Sequence, residues 1–389
     1  MKVLFAVRYI IPVFFLIFSC TLNSQRIITG AEQLEVLNEL TKGKKIGLTG
    51  NHTSMVGSVH LVDTLLSMGL DVVKIFSPEH GFRGKEGAGE PIKSSVDPRS
   101  GIPVISLYGA GKKPLPKDMK GIDVMIFDIQ DVGVRFYTYI SSLHYIMESC
   151  AENGVPLIVL DRPNPNGNYT DGPILEKEFS SFVGMHPVPL VHGMTIGEYA
   201  RMINGEGWLK DGKKCELKVV PCLEYSHSME YILPIPPSPN LLTQHAIRLY
   251  PSIALFEGTI LSEGRGTKFP FEVYGHPNLT YGEFYFTPIS MPAAKNPKLM
   301  GINCRGEDLR NWAPPDRKWE KIELQWLIKA YNNFPDQEDF FNDFFFKLCG
   351  TRQIYEDIRA GFSEPQIRAK WEDGLRAFKI VQKKYSLYE

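Results

Sequence analysis

Three polar segments each follow a short apolar run, and each carries a carboxylate ahead of an arginine. Ser77-Pro78-Glu79-His80-Gly81-Phe82-Arg83-Gly84 follows Val72 to Phe76, Asp128-Ile129-Gln130-Asp131-Val132-Gly133-Val134-Arg135-Phe136-Tyr137 follows Val124 to Phe127, and Asp161-Arg162-Pro163-Asn164-Pro165 follows Leu157 to Leu160. Cleaving a glycosidic bond requires a carboxylic acid to protonate the leaving oxygen and a second group to stabilise or attack the anomeric carbon. Glu79 is the candidate acid. Pro78 stiffens its approach, Gly81 and Gly84 leave room for a ligand, and Phe82 is an apolar neighbour able to raise a carboxyl pKa towards neutrality. For any single Asp and Arg pair a salt bridge tying loops together is the plainer reading, and Glu79 could equally cap a helix or loop. Repetition at three segments favours chemistry. The second half contributes Asn240 to Gln244 and a fourth segment, Phe256-Glu257-Gly258-Thr259-Ile260-Leu261-Ser262-Glu263-Gly264-Arg265-Gly266-Thr267, whose Glu263 to Thr267 turn sets a carboxylate and a guanidinium among glycines that allow close backbone approach, with a charged tight turn as the alternative.

Other chemistries find less support. Gly109-Ala110-Gly111-Lys112 has Lys113 where a phosphate loop needs Ser or Thr, and Pro114 opposes the helix that must follow. Gly81, Gly84, Gly87 and Gly89 lack the dinucleotide spacing and are followed by no helical run. The nine histidines form no H-E-x-x-H pair, so no metal is expected. With 43 basic against 44 acidic residues the chain has no electrostatic footprint for nucleic acid. Aromatic residues reach 12%, and their flat faces suit sugar rings as well as cores.

The elements that must position these groups are legible in the apolar pattern. Lys45 to Thr49, Val72 to Phe76, Val104 to Leu107, Val124 to Phe127 and Leu157 to Leu160 read as strands of a parallel sheet. Between them, Leu61, Leu65 and Met68 share one helical face before Gly69, and Ile140, Leu143, His144, Met147 and Cys150 share another before Gly154. This alternation predicts an α/β layered domain with helices on both faces of the sheet, whose ligands bind beyond the carboxyl ends of the strands. The texture changes after Pro234 to Pro239, so the expected organisation is a catalytic domain over 26–237 and a C-terminal domain over 238–389 that completes a cleft. Near the chain end, Ser363 and Gln366 form a capping box and Ile367, Trp371, Leu375 and Phe378 line one face of a last helix.

Lys2 and Arg8 precede an apolar run from Ile10 to Phe18 and a small Ser19, which reads as a secretory signal over 1–20. That run is shorter than the ~20 residues of a membrane span, and no transmembrane segment is expected. Cys20 follows a loose lipobox, so a lipid anchor there is one possible form of an exported, periplasmic protein. Cys215 and Cys222 flank the strand-like Glu216 to Pro221, which at about 3.3 Å per residue holds them beyond disulfide reach. Buried free thiols are expected.

At Ser77 to Gly84, Phe127 to Tyr139, Leu160 to Pro165 and Ser262 to Thr267 the sequence resembles the NamZ-type exo-β-N-acetylmuramidases, over nearly the whole mature chain. The resemblance implies a Rossmann-like parallel-sheet domain plus a smaller α+β C-terminal domain, with the active site in the cleft between them. It implies release of N-acetylmuramic acid from the non-reducing ends of peptidoglycan fragments such as MurNAc-GlcNAc, without a cofactor. Carried over by motif, Glu79 is the catalytic residue. Asp128, Asp131, Glu263 and the substrate's own 2-acetamido group remain candidates for the second role. His80, Gln130, Asp161 and Asn164 are further candidate binding residues. Arg83, Arg135, Arg162 and Arg265 compete to recognise the lactyl carboxylate, and Tyr137 or Tyr139 could stack on or hydrogen-bond the sugar.

Overall fold

The computed structural model describes residues 26–79, 81–83, 94–109, 111–313 and 317–389. The proposed signal, Cys20, His80 and Gly84 lie outside these residues. The strands in chain order are β1 Lys45–Gly50, β2 Met55–Val56, β3 Val59–His60, β4 Asp71–Ser77, β5 Ser95–Val96, β6 Pro103–Ser106, β7 Val124–Asp128, β8 Leu157–Leu160, β9 Leu217–Val220, β10 Val273–His276, β11 Phe284–Phe286 and β12 Cys304–Asp308. Seven form one sheet in the order β5-β6-β4-β1-β7-β8-β9, parallel throughout except for the edge strand β5. All five strands read from the apolar runs are there, with Leu48 opposite Ile75 on one side and Ile126 on the other.

The central strands are apolar at successive positions because both faces of the sheet are covered. Val124, Ile126, Ile158 and Leu160 enter a core with Leu61, Val62 and Leu65, whereas Met125, Phe127, Leu157 and Val159 enter a larger one with Leu143 and Met147. The two helices that supply these residues are Leu61–Ser67 and Tyr139–Asn153, the second ended by Gly154 in the left-handed conformation at φ 66°.

The larger core runs on without a break to Phe256, Phe271, Trp326 and Phe345 of the smaller C-terminal part, which therefore packs against that one face of the sheet. This part holds the antiparallel sheet β10-β12-β11 and helices that include Gln325–Asn332 and Asp343–Cys349. The expected last helix is two. Ser363 caps Glu364–Ala369 through Gln366, and a second helix, Glu372–Lys383, starts after Trp371 turns at φ −105° and ψ 0°. Ile367, Trp371 and Phe378 are buried as expected, so the apolar stripe survives a break that burying the indole ring tolerates. The cysteines of the described residues are free and buried. No helix among the described residues is long and apolar enough to cross a membrane.

Candidate active site

A cleft of about 1220 Å³ opens where the exits of β4, β6 and β7 meet the C-terminal part. Glu79 lines it just beyond β4, where Thr138 Oγ1 donates to its Oε2 at 3.4 Å. Tyr108, beyond β6, stands beside it. Burial and the adjoining Glu79 carboxylate push the Tyr108 phenol up to about 12, so it stays a neutral hydrogen-bond donor. Tyr139 is also raised, by burial first and Glu79 second. The walls include Phe136, Tyr137, Phe182, Tyr250 and Phe271, an apolar lining suited to sugar faces. Tyr137 is fixed by its hydroxyl, which donates to Pro237 O at 2.8 Å, and by Tyr139 in edge contact at 4.9 Å.

The C-terminal part supplies the facing wall with Glu257, Glu263, Arg265 and Lys298. Arg265 lies over the Phe271 ring, 4.9 Å from its centroid, and reaches Glu257 at 3.2 Å and Glu263 at 3.5 Å. Lys298 sits 3.0 Å from Glu263 and donates to the carbonyls of Phe256, Thr259 and Leu261. The Glu257 carboxyl is held above its ordinary value by burial, against the pull of Arg265 and with the help of Glu263. The turn glycines were expected to admit a ligand, but they admit the chain itself. A side chain on Gly264 would meet Phe269 O at 2.8 Å, and one on Gly266 would meet Ile289 O at 2.7 Å.

Of the residues singled out in the sequence, Glu79, Tyr137, Tyr139, Glu263 and Arg265 meet in this cleft. The others do not. Asp128 is buried and accepts from two donors of Arg162, Nε at 2.6 Å and Nη2 at 2.9 Å, so this pair is an internal ion pair. Arg162 and Gln130 face a separate hollow of about 380 Å³ with Thr53 and Tyr231, and Gln130 Nε2 is held by the carbonyls of Asp131 and Pro163. Asp131 accepts Gly133 N at 2.6 Å and lies 3.7 Å from His192 Nε2. Burial pushes the Asp131 carboxyl up to about 7 and His192 down to about 3. Asp161 accepts from Thr195 Oγ1 at 2.7 Å, Gly197 N at 2.8 Å and Tyr388 OH at 2.6 Å, which ties the chain end to the exit of β8. Asn164 Nδ2 donates to Met194 O, and its Oδ1 accepts from Asn166 N.

The arginines separate in the same way. Arg83 forks onto Asp97 at 3.0 and 2.8 Å and also reaches Asp63 at 3.5 Å. Burial of Asp97 is outweighed by Arg83 and Ser100, and its carboxyl falls to about 2. Phe82 packs edge-on to His60 and under Arg83. Arg135 is wholly buried and donates to the carbonyls of Pro173, Val188, Leu348 and Cys349. Among the described residues, Arg265 alone of the four candidate arginines lines the cleft with Glu79. Sequence reasoning missed Glu257, Lys298 and Tyr108. Tyr108 sits at a strand exit, which was a usable signal, whereas Lys298 reaches the wall from a segment with no motif.

Known proteins share the sequence and the fold. The exo-beta-N-acetylmuramidase NamZ family matches the chain through its N-terminal region over residues 46–245 and its C-terminal region over 248–388. The peptidoglycan beta-N-acetylmuramidase NamZ of Bacillus subtilis (strain 168) is 38% identical over 392 residues, covering 95% of this chain and 93% of that protein. Two solved DUF1343 family proteins from Bacteroides fragilis NCTC 9343 share the fold. One has TM-score 0.87 at 48% identity and the other TM-score 0.81 at 29% identity, each covering 94% of this chain and 99% of its own.

Proposed function

Because the chain belongs to the NamZ family of exo-β-N-acetylmuramidases, we infer that it is a glycosidase removing N-acetylmuramic acid from the non-reducing ends of peptidoglycan fragments, with Glu79 as the proton donor. The observation that carries the residue assignment is the meeting of Glu79 and Arg265 in one aromatic-lined cleft. Glu79 protonates the leaving oxygen, and the hydroxyls of Thr138 and Tyr108 beside it hold its orientation. Arg265 recognises the lactyl carboxylate that separates muramic acid from N-acetylglucosamine, since a fork of fixed donors suits a carboxylate. The other three arginines do not line this cleft and pair instead with Asp97, with backbone carbonyls and with Asp128.

The test is release of free N-acetylmuramic acid from MurNAc-GlcNAc, followed by chromatography, alongside chromogenic MurNAc and GlcNAc glycosides. A preference of at least about tenfold for the MurNAc glycoside is expected, because a GlcNAc glycoside lacks the carboxylate that Arg265 would bind and forgoes a charge-assisted hydrogen bond worth about 2 kcal/mol. Stoichiometric binding without released sugar would instead indicate a sugar-binding protein. The charged start and apolar run before Ser19 support export to the periplasm, with Cys20 as the place for a lipid anchor. Cell fractionation with N-terminal sequencing checks this, and full-length chain in the cytosol with Met1 retained overturns it.

A further inference from the structure

We propose that Glu257 is the second catalytic carboxyl of the cleft, the base that takes a proton from the water attacking the anomeric carbon; this rests on the glycosidase reading above. Asp128 and Asp131 lie outside the cleft, each engaged with internal partners. Glu263 lines it but is only 2% exposed, clamped between Lys298 at 3.0 Å and Arg265 at 3.5 Å. Glu257 is different. Its side chain is 23% exposed on the cleft wall, where Arg265 Nη2 donates to its Oε1 at 3.2 Å.

Burial and the nearby Glu263 hold the Glu257 carboxyl above its ordinary range, which makes its ionised form a stronger base than a solvent-exposed carboxylate. Arg265 fixes the carboxylate plane. In the step, the water oxygen bonds to the anomeric carbon while one water proton passes to Glu257. The bond from that carbon to the leaving oxygen breaks, and the leaving oxygen takes the Glu79 proton. Charge and protons balance, and the two carboxyls exchange protonation states until solvent resets them. Attack comes from the face opposite the leaving group, so the configuration at the anomeric carbon inverts.

The experiment uses the full chain and its Glu257→Gln variant on MurNAc-GlcNAc and on an activated aryl MurNAc glycoside. With Gln, kcat should fall by about 100-fold or more on both substrates alike, while KM moves less than about threefold. The acidic limb of the kcat profile, set by the base, should vanish, and azide should restore turnover in Glu257→Ala. Proton NMR of the wild-type reaction should show the α anomer first, a readout that does not depend on any variant folding. A Glu257→Gln enzyme within threefold of the parent kcat overturns the proposal, as does a loss confined to KM or a β anomer released first. If the wild-type chain frees no sugar, the glycosidase reading falls. If it does and Glu257→Gln is indifferent, this assignment alone falls.

Discussion

The carboxyl-terminal edge of the sheet behaves in two ways. Beyond β4 and β6 the chain leaves Glu79 and Tyr108 facing an open cleft, whereas beyond β7 and β8 the carboxyl groups of Asp128, Asp131 and Asp161 are buried, with Asp128 and Asp161 matched by the protein's own donors and Asp131 held through one oxygen by Gly133 N. The segments look alike in sequence, each a carboxylate ahead of an arginine. What differs is what covers them. Over β7 and β8 the chain end brings Tyr388 to Asp161, and Pro236 and Pro237 accept hydrogen bonds from His52 and Tyr137. A buried carboxylate must be matched or neutralised, so covering an exit converts a candidate catalytic group into a structural one.

Breaking the closed side should cost the most stability. Asp128→Ala leaves the Arg162 guanidinium buried without its counter-ion, and urea unfolding should show a loss of about 3–5 kcal/mol. Activity per folded molecule should stay within about threefold of the parent. A large fall in kcat with unchanged stability would instead return Asp128 to the chemistry.

Breaking the open side should do the reverse. Glu79→Gln keeps size and shape but removes the acidic proton, so turnover of MurNAc-GlcNAc should fall by about 100-fold or more with stability little changed. Activated aryl glycosides should lose less, because a good leaving group departs with little protonation. Steady-state kinetics on the two substrate types distinguishes this from a capping role.

The remaining contrasts are smaller. Arg265→Lys keeps the charge but not the fork, and should narrow the preference for MurNAc over GlcNAc glycosides by about tenfold, read as a ratio of kcat/KM values. On the closed side, Asp131 and His192 bias stability in opposite directions with pH. The Asp131 carboxyl is raised to about 7, so its contribution is fullest below the unfolded value of about 3.9 and declines as pH rises through 7. His192 is lowered to about 3, so its contribution is lost as pH falls from about 6.5 towards 3. Asp131→Asn removes only the first dependence. Denaturant unfolding at pH 4 and pH 7 should show the variant gaining on the parent as pH rises, by at most about 1.4 kcal/mol per pH unit. A constant difference would mean that Asp131 is ionised in the folded state.

The sequence alone determined the sheet, because strands covered on both faces must be apolar at successive positions, and Val124 to Phe127 and Leu157 to Leu160 carry that signature unaided. It also singled out Glu79 and the turn around Arg265, which both line the cleft, since both sit in loops whose glycines and prolines mark them. Only the tertiary structure decided which charged residues face the cleft. Arg83 and Arg265 are equally promising as residue types, yet one forks onto Asp97 and the other lines the cleft. Lys298 joins that wall from a segment that local pattern does not single out, and Glu257 joins it from the start of the Phe256 to Thr267 segment, where only Glu263 and Arg265 stand out as residue types. Whether a carboxylate is matched internally depends on partners far away in the chain, such as Tyr388 for Asp161, and the distance between such partners is fixed by packing rather than by local sequence.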